Sequence, residues 1–286
     1  MLRQFCSDGR AYDNGERVKQ LSQTMTVSEF TSKASVSRNE TFTPGPDRVT
    51  VLSYFYRQRE VYDDKFQNLR GALLETWRRC GRMRTVLVTN EIAPALARFI
   101  DEFPWVEAQV EPSLIPGKLS AMSIDCNVRL YQRFETDYVL IVQDDGFPIR
   151  EGLADFLGKY DYIGAPFVRH STWYDWYPYP RFCVGHGGFS LRSRQICEAA
   201  AKYYSRYFKR VPYFWPLVGD DTFYCKTLRM VFPSYSREFR FAPPEIAGLF
   251  SFEGNEVYFP QNCLPFGFHS ASAFLRCWQR RRELLI

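Results

Sequence analysis

Two pairs of adjacent aspartates are the residues of this sequence best suited to chemistry. Asp144 and Asp145 follow the apolar run DYVLIV at 137–142 and precede Gly146. Adjacent carboxylates repel each other unless a positive group lies beside them. A divalent cation that carries a diphosphate is a suitable counter-charge, because hard cations bind carboxylate and phosphate oxygens together. A solvated turn in which Asp144 caps the next segment is the alternative.

The second pair, Asp220 and Asp221, follows Gly219 and precedes a helical pattern at 222–230. One interpretation makes these residues a helix cap and a first-turn acid, both of which the helix dipole favours. The other makes one of them a general base that takes the proton from an attacking hydroxyl. The pair by itself leaves both interpretations open.

A glycine-rich segment and a C-terminal histidine complete the candidates. The segment GHGG at 185–188 has glycines that let the backbone approach a ligand closely. Its spacing matches neither a P-loop nor G-x-G-x-x-G, so a glycine bend without a ligand is the alternative. His269, one of three histidines in the chain, ends the segment PFGFH at 265–269. It is a candidate ligand, with a structural role as the alternative.

Strands and helices that alternate along the chain must position these residues. Strand patterns at 49–56, 85–89, 106–110 and 137–142 alternate with helical patterns at 60–79, 93–103 and 118–134. This order predicts an α/β fold with a mostly parallel central sheet flanked by helices. Because ligands bind beyond the carboxyl ends of such strands, the residues that follow 142 are predicted to lie at the binding edge.

Composition and charge describe a folded chain with polar ends. Hydrophobic residues make up 45% and aromatic residues 17% of the 286 residues, which excludes a disordered, collagenous or coiled-coil protein. Residues 1–46 are polar without periodicity and are predicted to be a loosely ordered extension. Residues 47–270 form the predicted domain, and 271–286 a basic helix or tail. The net charge of +5 is mild for a nucleic-acid binder, so no nucleic acid is expected as a partner.

The cysteines and the N-terminus indicate a reducing compartment. Eight cysteines are scattered without a C-x-x-C pair, which is typical of reduced, packed thiols. The first ten residues lack the apolar core of a secretory signal. We therefore expect a cytoplasmic protein. Four arginines near the C-terminus either lie on a solvated helix end or contact an acidic partner, such as anionic lipid at the inner membrane face. They are Arg276, Arg280, Arg281 and Arg282.

Five sequence blocks together carry a resemblance that no single block carries. They are YDYIGAP at 160–166, GHGGFSLRS at 185–193, GDD at 219–221, FSFE at 250–253 and FGFH at 266–269. In order and spacing they resemble a family regarded as glycosyltransferases and long catalogued only as a domain of unknown function. The resemblance covers roughly Val49 to Ser270. It implies a GT-A-like nucleotide-sugar-binding fold and makes 47–270 a catalytic domain.

The same resemblance implies a reaction. A sugar, such as a hexose, is transferred from a nucleotide diphosphate sugar to the hydroxyl of a glycan or lipid-linked acceptor in polysaccharide biosynthesis. The expected transfer inverts the configuration of the sugar, and UDP is the favoured nucleotide. Asp221 is then the base, and Asp220 a sugar-hydroxyl acceptor or the alternative base. Asp145 and His269 would hold Mn²⁺ or Mg²⁺. GT-A enzymes typically carry Asp-x-Asp where this chain begins with Gln143.

Further residues are expected to bind the two substrates. The family commonly has Asn where this chain has His186, which could donate to a sugar hydroxyl. Trp173 and Trp176 are expected to stack on the acceptor sugar. A non-catalytic carbohydrate-binding protein on the same fold is the alternative, and Gln143 is its best support. Nucleotide-sugar binding is assigned to Gln143, Asp144, His186, Gly187, Gly188, Tyr54, Arg57, Asn90 and Lys118.

Overall fold

A computed structural model describes residues 45–167, 184–212 and 218–284 of the chain. The predicted N-terminal extension, up to residue 44, lies outside these ranges, as do the two tryptophans of the expected acceptor platform, Trp173 and Trp176. The predicted division into three segments therefore stays a prediction.

Six strands form the central sheet, in the spatial order β3-β2-β1-β4-β6-β5. Strands β1 to β4 pair with one another in parallel, whereas β6 is antiparallel to both β4 and β5. The predicted α/β class with a mostly parallel sheet flanked by helices is confirmed. The strands are β1 (Val49–Phe55), β2 (Thr85–Thr89), β3 (Val106–Val110), β4 (Tyr138–Ile141), β5 (Tyr162–Gly164) and β6 (Ser190–Ser193).

The helices follow the predicted order, with one shorter than expected. The pattern at 118–134 gives α3 (Leu119–Val128) and then a separate 3₁₀ turn, Leu130–Gln132. None of the helices in the described ranges has the length and apolarity to cross a membrane. The other helices are α1 (Arg59–Cys80), α2 (Pro94–Glu102), α4 (Arg194–Tyr203), α5 (Asp220–Thr222), α6 (Leu228–Val231), α7 (Pro233–Glu238), α8 (Pro244–Phe250) and α9 (Ala271–Glu283), with a π turn, Phe223–Thr227, between α5 and α6.

Both faces of the sheet are covered by hydrophobic core. Along β1, Val51 and Phe55 pack into one cluster, and Leu52 and Tyr54 into the other, as the alternation of a strand requires. All seven residues of β1 are buried. Because the strand interiors are occupied in this way, polar side chains that bind ligands must come from the ends of the strands.

Several chain segments meet at one end of the sheet. Ile141 of β4 pairs with Ser190 of the antiparallel β6, so the glycine-rich segment before β6 lies at the carboxyl end of β4. A separate parallel pair, β7 (Ser251–Phe252) and β8 (Gly267–Phe268), ends at this edge too, because Gly267 bridges to Pro148 after β4. The residues that follow β7 and β8 therefore emerge side by side.

Candidate active site

The first aspartate pair forms the tip of a tight turn directly after β4. Gln143 and Gly146 exchange both backbone hydrogen bonds, at 3.0 and 3.1 Å, with Asp144 and Asp145 between them. The two side chains keep 23% and 44% of their surface exposed. The carboxylates are thus presented to a ligand on a short, well-fixed hairpin.

Arg57 and Asn90 follow β1 and β2 at the same edge and support this turn. The Arg57 backbone N–H donates to Asn90 Oδ1 (3.1 Å), and Asn90 Nδ2 donates to the Arg57 carbonyl (3.2 Å). The Arg57 guanidinium then reaches Asp144 Oδ2 at 3.3 Å. Burial and the charge of Asp145 raise the pKa of Asp144 above its ordinary value, against the opposing effect of Arg57.

His269 faces the turn from β8. Its Nε2 atom lies 3.0 Å from Gln143 Oε1 and 3.4 Å from Asp145 Oδ1, and its Nδ1 atom lies 2.9 Å from Glu253 Oε1. Burial alone would lower the pKa of His269, but its hydrogen bonds to Asp145 and Glu253 raise it to about 10. Burial would likewise raise the pKa of Asp145, but the hydrogen bond and the charge of His269, together with the turn's backbone and Arg57, outweigh burial and lower this pKa.

The residue after His269 adopts a strained backbone. Ser270 has a φ of 88°, the only positive value at a non-glycine residue in the described ranges. Its N–H donates to the Asp145 carbonyl (2.9 Å), and its Oγ accepts from the Ala273 N–H at the start of α9. Strain of this kind persists only where the surroundings enforce it. Here the hydrogen bond from the Ser270 N–H to the Asp145 carbonyl holds the acidic turn next to His269.

Two consecutive glycines, Gly187 and Gly188, lie between His269 and the second aspartate pair. A Cβ atom on Gly188 would overlap the His269 ring. A Cβ atom on Gly187 would lie 3.0 Å from Asp220 Oδ2 and 3.1 Å from Asp221 Cβ. The absence of side chains at these positions therefore lets one dipeptide contact the histidine and the aspartates at once.

Asp220 forms a buried ion pair with Arg192 of β6. Arg192 Nη2 donates to Asp220 Oδ2 at 2.8 Å, with side-chain exposures of 1% and 9%. The guanidinium also lies 5.1 and 5.0 Å from the ring centroids of Tyr162 and Tyr224. The N-cap residue of α5 is Gly219, which has no side chain that could accept a capping hydrogen bond. Asp220 is therefore engaged by a cation and does not cap the helix.

Asp221 lies in a different environment although it is the next residue. Its Oδ1 accepts from the Thr222 N–H (2.6 Å) and hydroxyl (3.2 Å). Burial, followed by the charge of Asp220, raises the pKa of Asp221 to about 7, against the lowering effects of the Thr222 hydrogen bond and Arg192. A carboxylate whose pKa lies near neutrality suits general base chemistry.

Not every predicted binding residue joins this cluster. The Tyr54 hydroxyl is buried and donates to Asp125 Oδ2 (2.7 Å), and Lys118 lies exposed at the start of α3. His186 does join, with its Nδ1 3.4 Å from Glu253 Oε1, and burial lowers its pKa. The predicted residues that the structure brings together are Arg57, Asn90, Gln143, Asp144, Asp145, His186, Gly187, Gly188, Asp220, Asp221 and His269.

Sequence reasoning missed Arg192 and Glu253. Each belongs to one of the blocks that carry the family resemblance, FSLRS and FSFE respectively. A charged residue next to the large apolar residues of each block was the available signal, since such a residue is seldom buried without a partner. Arg192 neutralises Asp220, and Glu253 contacts His269.

The donors around Asp145 fit part of a divalent-cation site. Within the described ranges, no group of three or more His, Cys, Asp or Glu residues is arranged to hold a metal by itself. Asp145 and His269, with the Gln143 amide oxygen beside them, nevertheless bring oxygen and imidazole donors together. This set suits Mn²⁺ or Mg²⁺ where a diphosphate and water supply the remaining ligands.

Fold and site together define an α/β protein with an acidic, histidine-containing centre at the carboxyl edge of its sheet. The model of the family described as "Protein of unknown function (DUF5672)" matches residues 107–269, more than half of the chain. The chain therefore belongs to this family. The match includes all of the site blocks and begins within β3. No curated protein matches the chain.

Three solved structures that are similar to the chain are glycosyltransferases. One is a mannosyltransferase, PcManGT, from Pyrobaculum calidifontis in complex with GDP-Man and Mn²⁺ (14% identity, TM-score 0.40, 80% of this chain and 66% of that one). Another is the apo-form glycosyltransferase GlyE of Streptococcus pneumoniae (13%, 0.44, 78% and 54%). A third is core-mannan synthase A of Aspergillus fumigatus in its Mn/GDP form (9%, 0.45, 64% and 70%). The chain spans less than two thirds of the length of the first two.

Proposed function

We propose that this protein is a metal-dependent, inverting glycosyltransferase that uses a nucleotide diphosphate sugar. One observation carries the proposal: the dipeptide Gly187–Gly188 separates two acidic centres of different chemistry. On one side Asp145 and His269 suit a cation with its diphosphate. On the other side Asp221, with a pKa raised to about 7, suits the deprotonation of a hydroxyl. Sugar transfer requires both functions within the length of one sugar.

The chain's own residues account for the transfer step. Asp221 accepts the proton of the acceptor hydroxyl as the oxygen forms its bond to the anomeric carbon. The bond between that carbon and the diphosphate oxygen breaks on the opposite face, and the nucleoside diphosphate leaves with the electron pair. Asp220 pairs with Arg192, and its nearby charge favours the protonated form of Asp221 once the proton has moved.

Asp145 and His269 are the residues that would hold the cation. When bound, Mn²⁺ or Mg²⁺ supplies positive charge that stabilises the leaving diphosphate. Arg57, half-buried beside Asp144, adds a fixed cation at the same edge. Asn90 holds the Arg57 backbone and thereby the start of its side chain.

The substrates are proposed at the level of chemical class. UDP is the favoured nucleotide and a hexose the favoured sugar, with a glycan or lipid-linked hydroxyl as the acceptor. Trp173 and Trp176 form the proposed acceptor platform, because sugar rings stack on aromatic side chains. We further propose a cytoplasmic location with peripheral contact to the inner membrane face. The arginines of α9 support that contact, although Arg276 and Arg280 pair with Glu256 and Glu283.

A non-catalytic carbohydrate-binding protein is the second candidate. Gln143, which stands where GT-A enzymes typically have an acid, favours it, since an amide is a weaker ligand for hard cations than a carboxylate.

Release of nucleoside diphosphate from nucleotide sugars separates the two candidates. The full chain is incubated with UDP- and GDP-sugars and Mn²⁺, with water or added glycans as acceptors. We expect release that requires the protein and is lost in D221N. No release with any donor, together with binding on a glycan array, would establish the second candidate instead.

A further inference from the structure

One carboxylate oxygen lies between two imidazole rings at the site. Glu253 Oε1 is 2.9 Å from His269 Nδ1 and 3.4 Å from His186 Nδ1. The three side chains retain only 18–19% of their surface exposed. The same ring atom of both histidines therefore faces the same oxygen.

The backbone fixes this arrangement from two sides. Glu253 and His269 follow the parallel strands β7 and β8, and the His269 N–H donates to the Phe252 carbonyl (3.0 Å). His186 comes from the glycine-rich segment, where its N–H donates to the Ala165 carbonyl (3.1 Å). The contact among the three side chains thus follows from the fold rather than from long, freely rotating side chains.

The position of each ring proton decides what the opposite nitrogen can bind. A neutral imidazole whose Nδ1–H faces a carboxylate presents the lone pair of Nε2. On His269 the nitrogen opposite Glu253 is Nε2, which faces Asp145 and Gln143 and carries a proton until a cation takes its place. His186 Nε2 is buried and has no hydrogen-bond partner among the residues that the structure describes. As an acceptor, it pairs with a ligand group that carries a hydrogen, such as a hydroxyl.

We propose that Glu253 is a positioning residue that orients both histidines, turning His269 Nε2 toward the cation and His186 Nε2 toward a hydroxyl of the donor sugar. The identity of the two ligands rests on the proposed function, whereas the orientation of the rings does not. His186 becomes an acceptor from the sugar and not a donor to it. Cation binding and sugar recognition are then linked through one carboxylate.

Nitrogen-15 NMR of the histidine side chains tests the orientation directly. The full chain contains three histidines, so its labelled spectrum holds three imidazoles, assigned with H170N and H186N. We expect the wild-type His186 to carry its proton on Nδ1. E253L should shift His186 toward the common Nε2–H form. E253Q keeps one acceptor oxygen and should therefore restore the Nδ1–H contact of only one of the two rings. E256L is the matched control, because Glu256 pairs with Arg276 at the surface.

A wild-type His186 protonated on Nε2, or an E253L spectrum identical to the wild type, would overturn the proposal. The wild-type measurement decides the question even if E253L does not fold.

Mn²⁺ titration followed by electron paramagnetic resonance tests the consequence for the cation. With Mn²⁺ and UDP as probes, we expect E253L to weaken Mn²⁺ binding about 10- to 100-fold and E256L to leave it unchanged. Equal affinity in E253L and wild type would contradict the positioning of His269. If the wild-type chain binds no Mn²⁺, the proposed function loses its metal, and the NMR result alone decides the role of Glu253.

Discussion

The two aspartate pairs have the same sequence and lie at the same edge of the sheet, yet they differ in exposure and in their partners. Asp144 and Asp145 are partly exposed on a hairpin turn, whereas Asp220 and Asp221 are buried at the start of α5. In the first pair both acids have a cationic partner, Arg57 for Asp144 and His269 for Asp145, whereas in the second pair Asp220 is the acid that pairs with Arg192. The pKa is raised for Asp144 in the first pair and for Asp221 in the second.

This contrast shows that neighbours, and not residue type, assign the chemistry of a carboxylate. The exposed pair has room for an added cation, and a histidine partner that is itself a metal ligand. The buried pair is neutralised internally by a permanent guanidinium charge, which leaves one carboxylate with a pKa near neutrality. The first pair is therefore suited to binding and the second to proton transfer.

Removing the carboxylate of Asp221 should have the largest effect. We expect D221N to lower kcat about 10²- to 10⁴-fold, the usual contribution of a general base, while donor binding is unchanged. Initial rates and titration calorimetry on the same preparations measure both quantities. If D220N were inactive and D221N active, Asp220 would be the base instead of Asp221.

The pH profile sharpens the same assignment. Because only the ionised form of Asp221 accepts a proton, activity should rise with pH to a plateau above about 7. The carboxyl group has a higher pKa in the folded chain than its ordinary value of about 4. Its contribution to stability is therefore present at low pH and lost as pH rises through about 7. A D221N variant with an unchanged slope of unfolding free energy against pH would refute this.

The two arginines that pair with aspartates should differ in their effect on stability. R192M leaves a buried, unpaired Asp220 and should lower the free energy of unfolding by about 3–5 kcal/mol. R57M breaks a partly exposed pair and should cost about 1 kcal/mol or less. Urea unfolding of both variants makes the comparison. Equal losses would show that the burial of the second pair does not matter.

The acids of the exposed pair should differ in metal-dependent binding. D145N should weaken the Mn²⁺-dependent affinity for the nucleotide about tenfold or more, equivalent to about 1.4 kcal/mol. D144N, whose carboxylate faces Arg57, serves as the matched control and should change that dependence less. Calorimetric titrations with Mn²⁺ and with EDTA measure the difference. A larger loss of Mn²⁺-dependent affinity in D144N than in D145N would make Asp144 the cation ligand instead of Asp145.

The strained residue beside the exposed pair should give the smallest effect. S270A removes the hydroxyl that caps α9 and should cost about 1 kcal/mol, whereas S270G should cost only a few tenths because glycine tolerates the positive φ. Thermal unfolding of the two variants gives the comparison. If S270G were less stable than S270A, the positive φ at this position would not be a source of strain.

Much of the fold follows from local patterns in the sequence. The apolar runs gave β1 and β2 almost to the residue, because strands buried on both faces are continuous apolar segments. The placement of Asp144 and Asp145 at the edge followed from the same pattern. The break in the helix expected over 118–134 did not, since it lies where Arg129 and Arg133 pair with Glu111, a residue outside that segment.

The partners within the site could not be predicted because they arise from contacts distant in sequence. Arg192 and Asp220 are separated by 28 residues, and Gln143 and His269 by 126. The sequence could name Asp220 and Asp221 together as a base and its neighbour. Only the position of Arg192, set by the antiparallel pairing of β6, distinguishes the two.

Thermal unfolding of the wild-type chain and D145N with nucleoside diphosphates and nucleotide sugars, each with Mn²⁺, Mg²⁺ or EDTA, tests the central claim most directly. A ligand at 100 times its Kd stabilises the folded state by about 2.7 kcal/mol, which gives a clear shift in Tm. We expect a shift with one nucleotide that requires the metal and is absent in D145N. A chain that unfolds cooperatively but shifts with no nucleotide, or shifts equally in EDTA, would contradict the account.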